Sequence, residues 1–306
     1  MLKYAVERLV QAIIAIFGVL TIVFVVMHFS GDPTLLLVPP DASKEMIDEL
    51  RRQLGFDQPL WVQYLNYLGG LLQLDFGMSV VQRVPAIDIV WSRVPYTMQL
   101  AAGAIIVAVG IGIPAGILMA TRRGGWLERV LTAIVVTGQS VPTFLSGILL
   151  IFVFAVTLRW LPTSGSGNFA SMIMPSVALG AISMSTFARM TRISIIDELS
   201  KDYVRAGRAR GLSMGSVVLR HVLRNASIPV ITIAALEIGN LLAGAVIVET
   251  VFAWPGIGQL AIQSIQSRDF LVVQVIVLLI SFVYVLTSVL ADFVYVLVDP
   301  RIRMVR

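Results

Sequence analysis

Stretches dominated by apolar residues, each long enough to cross a bilayer, recur six times along the chain, at about 9–29, 97–120, 130–158, 170–188, 229–250 and 271–298. A helix needs about 20 such residues to span a hydrocarbon core, because every backbone N–H and C=O in lipid has to be paired inside the segment. The pattern predicts an all-α membrane protein with six transmembrane helices. The first stretch, LVQAIIAIFGVLTIVFVVMHF, exceeds the apolar core of a secretory signal, about 7–15 residues. No A-x-A site precedes the SGDP that follows it, so it reads as a retained helix.

Two of the intervening segments carry patterns of their own. DASKEMIDELRRQLG has a cap at Asp41 or Ser43, apolar Met46, Ile47, Leu50 and Leu54, and Gly55 as a stop, which predicts an amphipathic helix. QPLWVQYLNYLGGLLQLDFG mixes Trp61, Tyr64 and Tyr67 with leucines, as a segment lying at headgroup depth does. The stretch then leads through Pro95, read as a first-turn residue, into the second span. Between spans four and five, KDYVRAGRARGLSMGSVVLRHVLRNASIP predicts a helix capped by Ser200, a left-handed turn at Gly211, and a second helix capped by Ser213 that runs to about Asn225. Val204, Leu212, Val217, Val218, Leu219, Val222 and Leu223 form an apolar stripe, ringed by Arg205, Arg208, Arg210, Arg220 and Arg224. Such a stripe suits a docking surface; a basic loop held near anionic lipid is the plainer alternative.

Composition agrees with the spans. The 306 residues are 57% hydrophobic and only 13% charged, with a mean hydropathy of +0.88, well outside the range of soluble domains. The net charge of +5 follows from the positive-inside rule and carries no separate case for nucleic acid. Basic residues cluster before span one (Lys3, Arg8), after span two (Arg122, Arg123, Arg129), after span four and at the C-terminus (Arg301, Arg303, Arg306). With that side cytoplasmic, both termini lie inside, 30–96 is an extracytoplasmic segment, and 189–228 is a cytoplasmic loop within a single transmembrane domain, 1–306. Zero cysteine closes disulfide, thiolate-metal and cysteine-nucleophile chemistry.

Little points to catalysis. A phosphate-cradling G-x-x-x-x-G-K-[ST] needs a lysine after a glycine, yet Lys3, Lys44 and Lys201 all follow other residues. The chain is therefore read as lacking an ATPase site. Gly112-x-x-x-Gly116 sits in a charge-free apolar run and predicts close helix packing rather than dinucleotide binding. His28 and His221 are too few and too far apart for a metal site, and no G-x-S-x-G or H-E-x-x-H occurs.

The stretch Tyr203-Val204-Arg205-Ala206-Gly207-Arg208-Ala209-Arg210-Gly211-Leu212 resembles the Glu-Ala-Ala loop of the permease subunits of bacterial binding-protein-dependent ABC importers, in the form of their dipeptide/oligopeptide branch. Arg205-Ala206-Gly207 and Gly211 fall on the motif's positions. Ser30-Gly31-Asp32-Pro33, Leu54 to Leu60, Val248 to Leu260 (VETVFAWPGIGQL) and Asp299-Pro300-Arg301-Ile302-Arg303 are similar too, so the resemblance spans nearly the whole chain. The branch more often has alanine at Gly207 and lysine at Arg210. The resemblance implies a type I importer permease fold in the bacterial inner membrane. It also implies that Tyr203, Arg205, Ala206, Gly207, Arg208, Arg210, Gly211 and Leu212 couple to an ATPase subunit. Its implied partners are a second homologous permease, two ATPase subunits holding ATP and Mg, and an extracytoplasmic solute-binding protein. Peptides are the default solute; no cofactor is expected on this chain.

Three further expectations concern the pathway. Trp254, Pro255 and Gly256, between spans five and six, read as part of an outer gate, an interfacial anchor being the alternative for Trp254. Glu237, about 12 Å into span five, reads as a cavity lining, and Asp292, about 9 Å from the inner end of span six, as a hydrogen-bonding group near the membrane edge. A rival reading, a proton-coupled secondary transporter, would use the same two carboxylates as its relay. Against it stands the lack of an inverted repeat in the sequence.

Overall fold

The computed structural model describes residues 2–29, 38, 42–53, 55–73 and 75–298, and these fold as helices joined by turns. In chain order they are α1 (Leu2–Phe29), α2 (Lys44–Gln53), α3 (Leu60–Leu72), α4 (Ala86–Thr121), α5 (Trp126–Ser140), α6 (Thr143–Leu150), α7 (Phe169–Leu199), α8 (Asp202–Ala209), α9 (Met214–Val217), α10 (Leu223–Val251), α11 (Ile257–Gln266) and α12 (Phe270–Val298). Two π-helical stretches, Ile151–Thr157 after α6 and Val218–Val222 between α9 and α10, continue their helices with a wider turn. SGDP, Leu54 and the terminal DPRIR lie outside the described residues.

Among the described residues, by length and composition, four helices qualify as membrane spans, or five if one bent pair counts as a single span. The span expected over 130–158 takes the form of this bent pair, Trp126–Ser140 with Thr143–Thr157. Pro142 ends α5 at Ser140, and α6 leaves at 110° to it. Pro95 is also placed differently from its predicted role. It lies inside α4, nine residues after the helix begins at Ala86. The predicted second helix of the basic loop likewise does not stop near Asn225, because α10 runs unbroken past Pro229 to Val251.

The chain divides into two units, residues 1–94 with 260–285 and residues 95–259 with 286–306. In the first, α2 begins with Ser43 Oγ accepting from the Met46 N–H at 3.3 Å and is followed by Gly55 at φ +72°, as its sequence predicts. In α3, Tyr64 meets the Phe17 and Phe24 rings of α1 edge-on, and its hydroxyl pairs with Thr21 Oγ1 at 2.6 Å. Tyr67 stacks on Phe24, and burial pushes its phenol up to about 12. Trp61 alone of the three predicted headgroup aromatics stays exposed. The turn before α4 is fastened by Asp269, which accepts from Ser79 Oγ and, at 3.4 Å, from the Val80 N–H.

In the second unit α7 is the central helix. One core cluster gathers Leu100 and Ala104 of α4, Met174, Ala178 and Leu179 of α7, Leu241, Ala245 and Val248 of α10, and Phe252 and Trp254 of the loop after α10. A second, at the other end of α7, joins Ala120 of α4 and Ile195 of α7 to Val204, Val217, Val222 and Ala226. Between the clusters α4 and α7 touch backbone to backbone. A Cβ on Gly112 would lie 2.6 Å from Met184 O, and one on Gly116 2.5 Å from Ala188 O. The predicted small-residue packing is thus made against α7.

Candidate coupling loop and outer gate

The basic loop folds as helix, glycine turn and helix. The first helix starts later than predicted. Ser200 closes α7, its hydroxyl donating to Asp197 O, while Lys201 occupies the N-cap of α8. The turn forms as predicted, with Gly211 at φ +86°, a left-handed conformation that costs a side-chain-bearing residue about 1–2 kcal/mol. Ser213 Oγ accepts from the Ser216 N–H at 3.3 Å and caps α9.

The apolar stripe divides into two parts. Val204, Val217, Val218 and Val222 are buried, whereas Leu212 and Leu219 remain exposed, Leu219 with 66% of its surface. Arg205 and Ala206 are exposed beside them, as are Tyr203, Arg208, Arg210 and Gly211. Gly207 is less exposed, and a Cβ there would lie 3.6 Å from Val217 Cγ2 and 3.7 Å from Leu212 Cδ1. Among the described residues Arg205 pairs with Asp202, and both side chains are largely exposed, so the pair contributes little to stability.

What holds this loop was not legible as a motif. Glu198, near the end of α7, accepts from the Tyr203 hydroxyl at 2.7 Å, from Asn225 Nδ2 at 3.4 Å and from Lys201 Nζ. One carboxylate thus ties α8 both to the end of α7 and to the start of α10. Nearby, Arg192 of α7 places Nε and Nη2 on Glu128 Oε1, while Glu128 Oε2 accepts from the Gly124 N–H at 2.6 Å. That network fixes the turn between α4 and α5 onto α7.

At the other end of the second unit lies the loop predicted as an outer gate. Trp254 is 2% exposed, and its Nε1 donates to Tyr96 O at 2.9 Å. It is a core side chain, which does not fit an anchor at headgroup depth. Ala253 takes φ +47°, and Gly165 N donates to Phe252 O at 3.1 Å. Behind the loop sits Glu249, fully buried, with Thr97 Oγ1 donating to its Oε1 at 2.7 Å. Its Oε2 accepts from the Gly258 and Gln259 N–H groups at 2.7 and 3.1 Å. Neither residue stood out in the sequence beyond Glu249's place in VETVFAWPGIG.

Of the two predicted intramembrane carboxylates, Glu237 is 9% exposed and accepts from Ser183 Oγ at 2.5 Å and from Asn240 Nδ2 at 3.3 Å. Asp292 falls in α12, and its side chain lies outside those described.

Comparison with known proteins sets this geometry in a family. Residues 112–304 match the profile described as binding-protein-dependent transport system inner membrane component, and residues 1–101 match the N-terminal profile of the same system. The glutathione transport system permease protein GsiC of Escherichia coli strain K12 is 43% identical over 304 residues, covering 99% of both chains. GsiC of Shigella dysenteriae serotype 1 matches to the same extent. Among solved structures, the inward-facing MetNI methionine ABC transporter superposes with a TM-score of 0.60 at 20% identity, over 70% of this chain and 97% of that one. An amino acid ABC transporter with histidines gives 0.51 at 20% identity, over 68% and 94%. These likenesses show a shared fold.

Proposed function

This chain belongs to the family of binding-protein-dependent transport system inner membrane components, and from that premise we propose that it carries glutathione or short peptides across the membrane as half of a two-permease pathway. It is a multi-pass permease subunit of an ABC importer in the bacterial inner membrane. The observation that carries the solute class is 43% identity over 99% of both chains to permeases named for glutathione transport.

In this reading the six apolar stretches are six spans with both termini in the cytoplasm, in the type I arrangement, and the chain works as one transmembrane domain. Two ATPase subunits bind ATP and Mg, a second permease completes the wall, and a solute-binding protein delivers cargo from outside. The α8–α9 loop docks on an ATPase subunit. Its exposed leucines and arginines suit a cleft with an apolar floor and acidic rim, the guanidinium groups pairing bidentately with carboxylates. Because Glu198 joins α8 to both α7 and α10, a push on α8 reaches two spans together. The wall of the pathway includes Glu237, which Ser183 and Asn240 hold in place. A proton-coupled carrier finds no support among the relatives. Binding of glutathione, dialanine and a longer peptide to the partner solute-binding protein tests the solute class, and retention of none of these refutes it. Gly211→Trp tests docking. Co-purification of the ATPase and transport should both fall, and if both are unchanged the docking assignment is wrong.

A further inference from the structure

We propose that Glu249 is the positioning residue of the outer gate. It clasps residues 253–259 to α4 at Tyr96 and Thr97 and to the end of α10, so that the gate opens when those helix segments move with the loop attached, and not by flexing of the loop. This rests on the reading of Trp254, Pro255 and Gly256 as the gate.

The first three N–H groups of α11 have no partner within their own helix. Ile257 N–H donates to Thr97 Oγ1 at 2.9 Å, and those of Gly258 and Gln259 donate to Glu249 Oε2. Thr97 in turn donates its own proton to Glu249 Oε1. One carboxylate and one hydroxyl, from α10 and α4, therefore saturate the start of α11, where the helix dipole favours an anion. The other half of the loop is held by the same two helices. Trp254 N donates to Glu249 O at 2.8 Å, and the indole N–H reaches Tyr96 O.

Sequence and packing agree with the clasp. A Cβ at Gly256 would lie 2.1 Å from Glu249 Oε1, and one at Gly258 2.4 Å from Val246 Cα, so both glycines are required by the closeness of α10. Freeing the loop alone would strip the buried Glu249 Oε2 of both its donors and leave three amides without acceptors, which is far costlier than moving the assembly as a block.

Glutamine fits the same place. Its carbonyl oxygen replaces Oε2, and its amide donates to Thr97 once the hydroxyl rotates away. Alanine leaves every donor unmatched. A reporter cysteine at exposed Ala253, in this otherwise cysteine-free chain, reads the loop in the reconstituted importer with its partner subunits. With Glu249 intact, its thiol-labelling rate should differ by about fivefold or more between nucleotide-free and ATP-bound states. Glu249→Gln should keep that ratio. Glu249→Ala should label fast in both states and hydrolyse ATP without stimulation by the solute-binding protein.

An assembled Glu249→Ala complex that keeps the ratio and the stimulation overturns the proposal. So does Glu249→Gln behaving like Glu249→Ala. A constant rate in the Glu249 parent sinks the gate reading itself, and the clasp with it. If Glu249→Ala does not assemble, Thr97→Val removes one donor and one acceptor at nearly constant volume. It should shrink the ratio, and an unchanged ratio overturns the clasp.

Discussion

Alanine substitution along α4 separates packing from helix propensity within one element. Gly110 and Gly112 share a helix and an apolar environment, but a Cβ on Gly110 meets nothing within 4 Å, whereas one on Gly112 meets Met184 O at 2.6 Å and Phe187 Cβ at 3.1 Å. Gly110→Ala therefore gains only the helix preference of alanine, up to about 1 kcal/mol. Gly112→Ala gains the same but must push α4 and α7 apart by roughly an ångström, which forfeits much of each displaced contact. Overpacking of this kind costs about 1–3 kcal/mol, so it outweighs the gain. The two variants should differ by about 1–3 kcal/mol, on the order of several degrees in melting midpoint. Gly116→Ala, whose Cβ would lie 2.5 Å from Ala188 O, should add less than its own cost to Gly112→Ala, since one opening of the seam accommodates both. Thermal unfolding of the purified importer in detergent measures this. Equal midpoints for Gly110→Ala and Gly112→Ala would refute the close α4–α7 seam.

Gly207→Ala should stiffen α8 by up to about 1 kcal/mol with transport retained, because the added methyl meets its neighbours at ordinary contact distance; a transport assay showing loss would place Gly207 on the partner. Arg205→Ala should leave stability within about 0.5 kcal/mol of the parent while lowering ATPase co-purification; a larger stability loss with co-purification unchanged would assign Arg205 to its pair with Asp202 instead. Glu198→Ala should leave ATP hydrolysis running while uptake per ATP falls, since α8 loses its tie to α7 and α10; unchanged stoichiometry would rule out Glu198 as the link.

The sequence made the helical class, the glycine turn at Gly211, the caps at Ser43 and Ser213 and the Gly112–Gly116 seam legible, because each depends on local pattern or a local backbone conformation. It misjudged features set by packing at a distance. Pro95 reads as a helix start, yet α4 begins at Ala86, where the preceding turn ends. The break at Pro142 was hidden because apolar composition is the same on both sides of it. The carboxylates that fasten the two candidate sites, Glu198 and Glu249, have partners 27 and 152 residues away, and no periodicity reports such pairings. Trp254 carries the same lesson, since an aromatic near a span end looks alike from sequence whether it anchors at an interface or fills a core.

Uptake into proteoliposomes tests the central claim most directly. The permeases and ATPase subunits are reconstituted, the solute-binding protein is added with whichever of glutathione or dialanine it retains, and accumulation is followed with and without ATP and with a proton ionophore. The importer account predicts uptake that requires ATP and the solute-binding protein, ignores the ionophore, and keeps its ATP dependence in Glu237→Gln. Accumulation driven by a pH gradient without ATP, and abolished in Glu237→Gln, would contradict it.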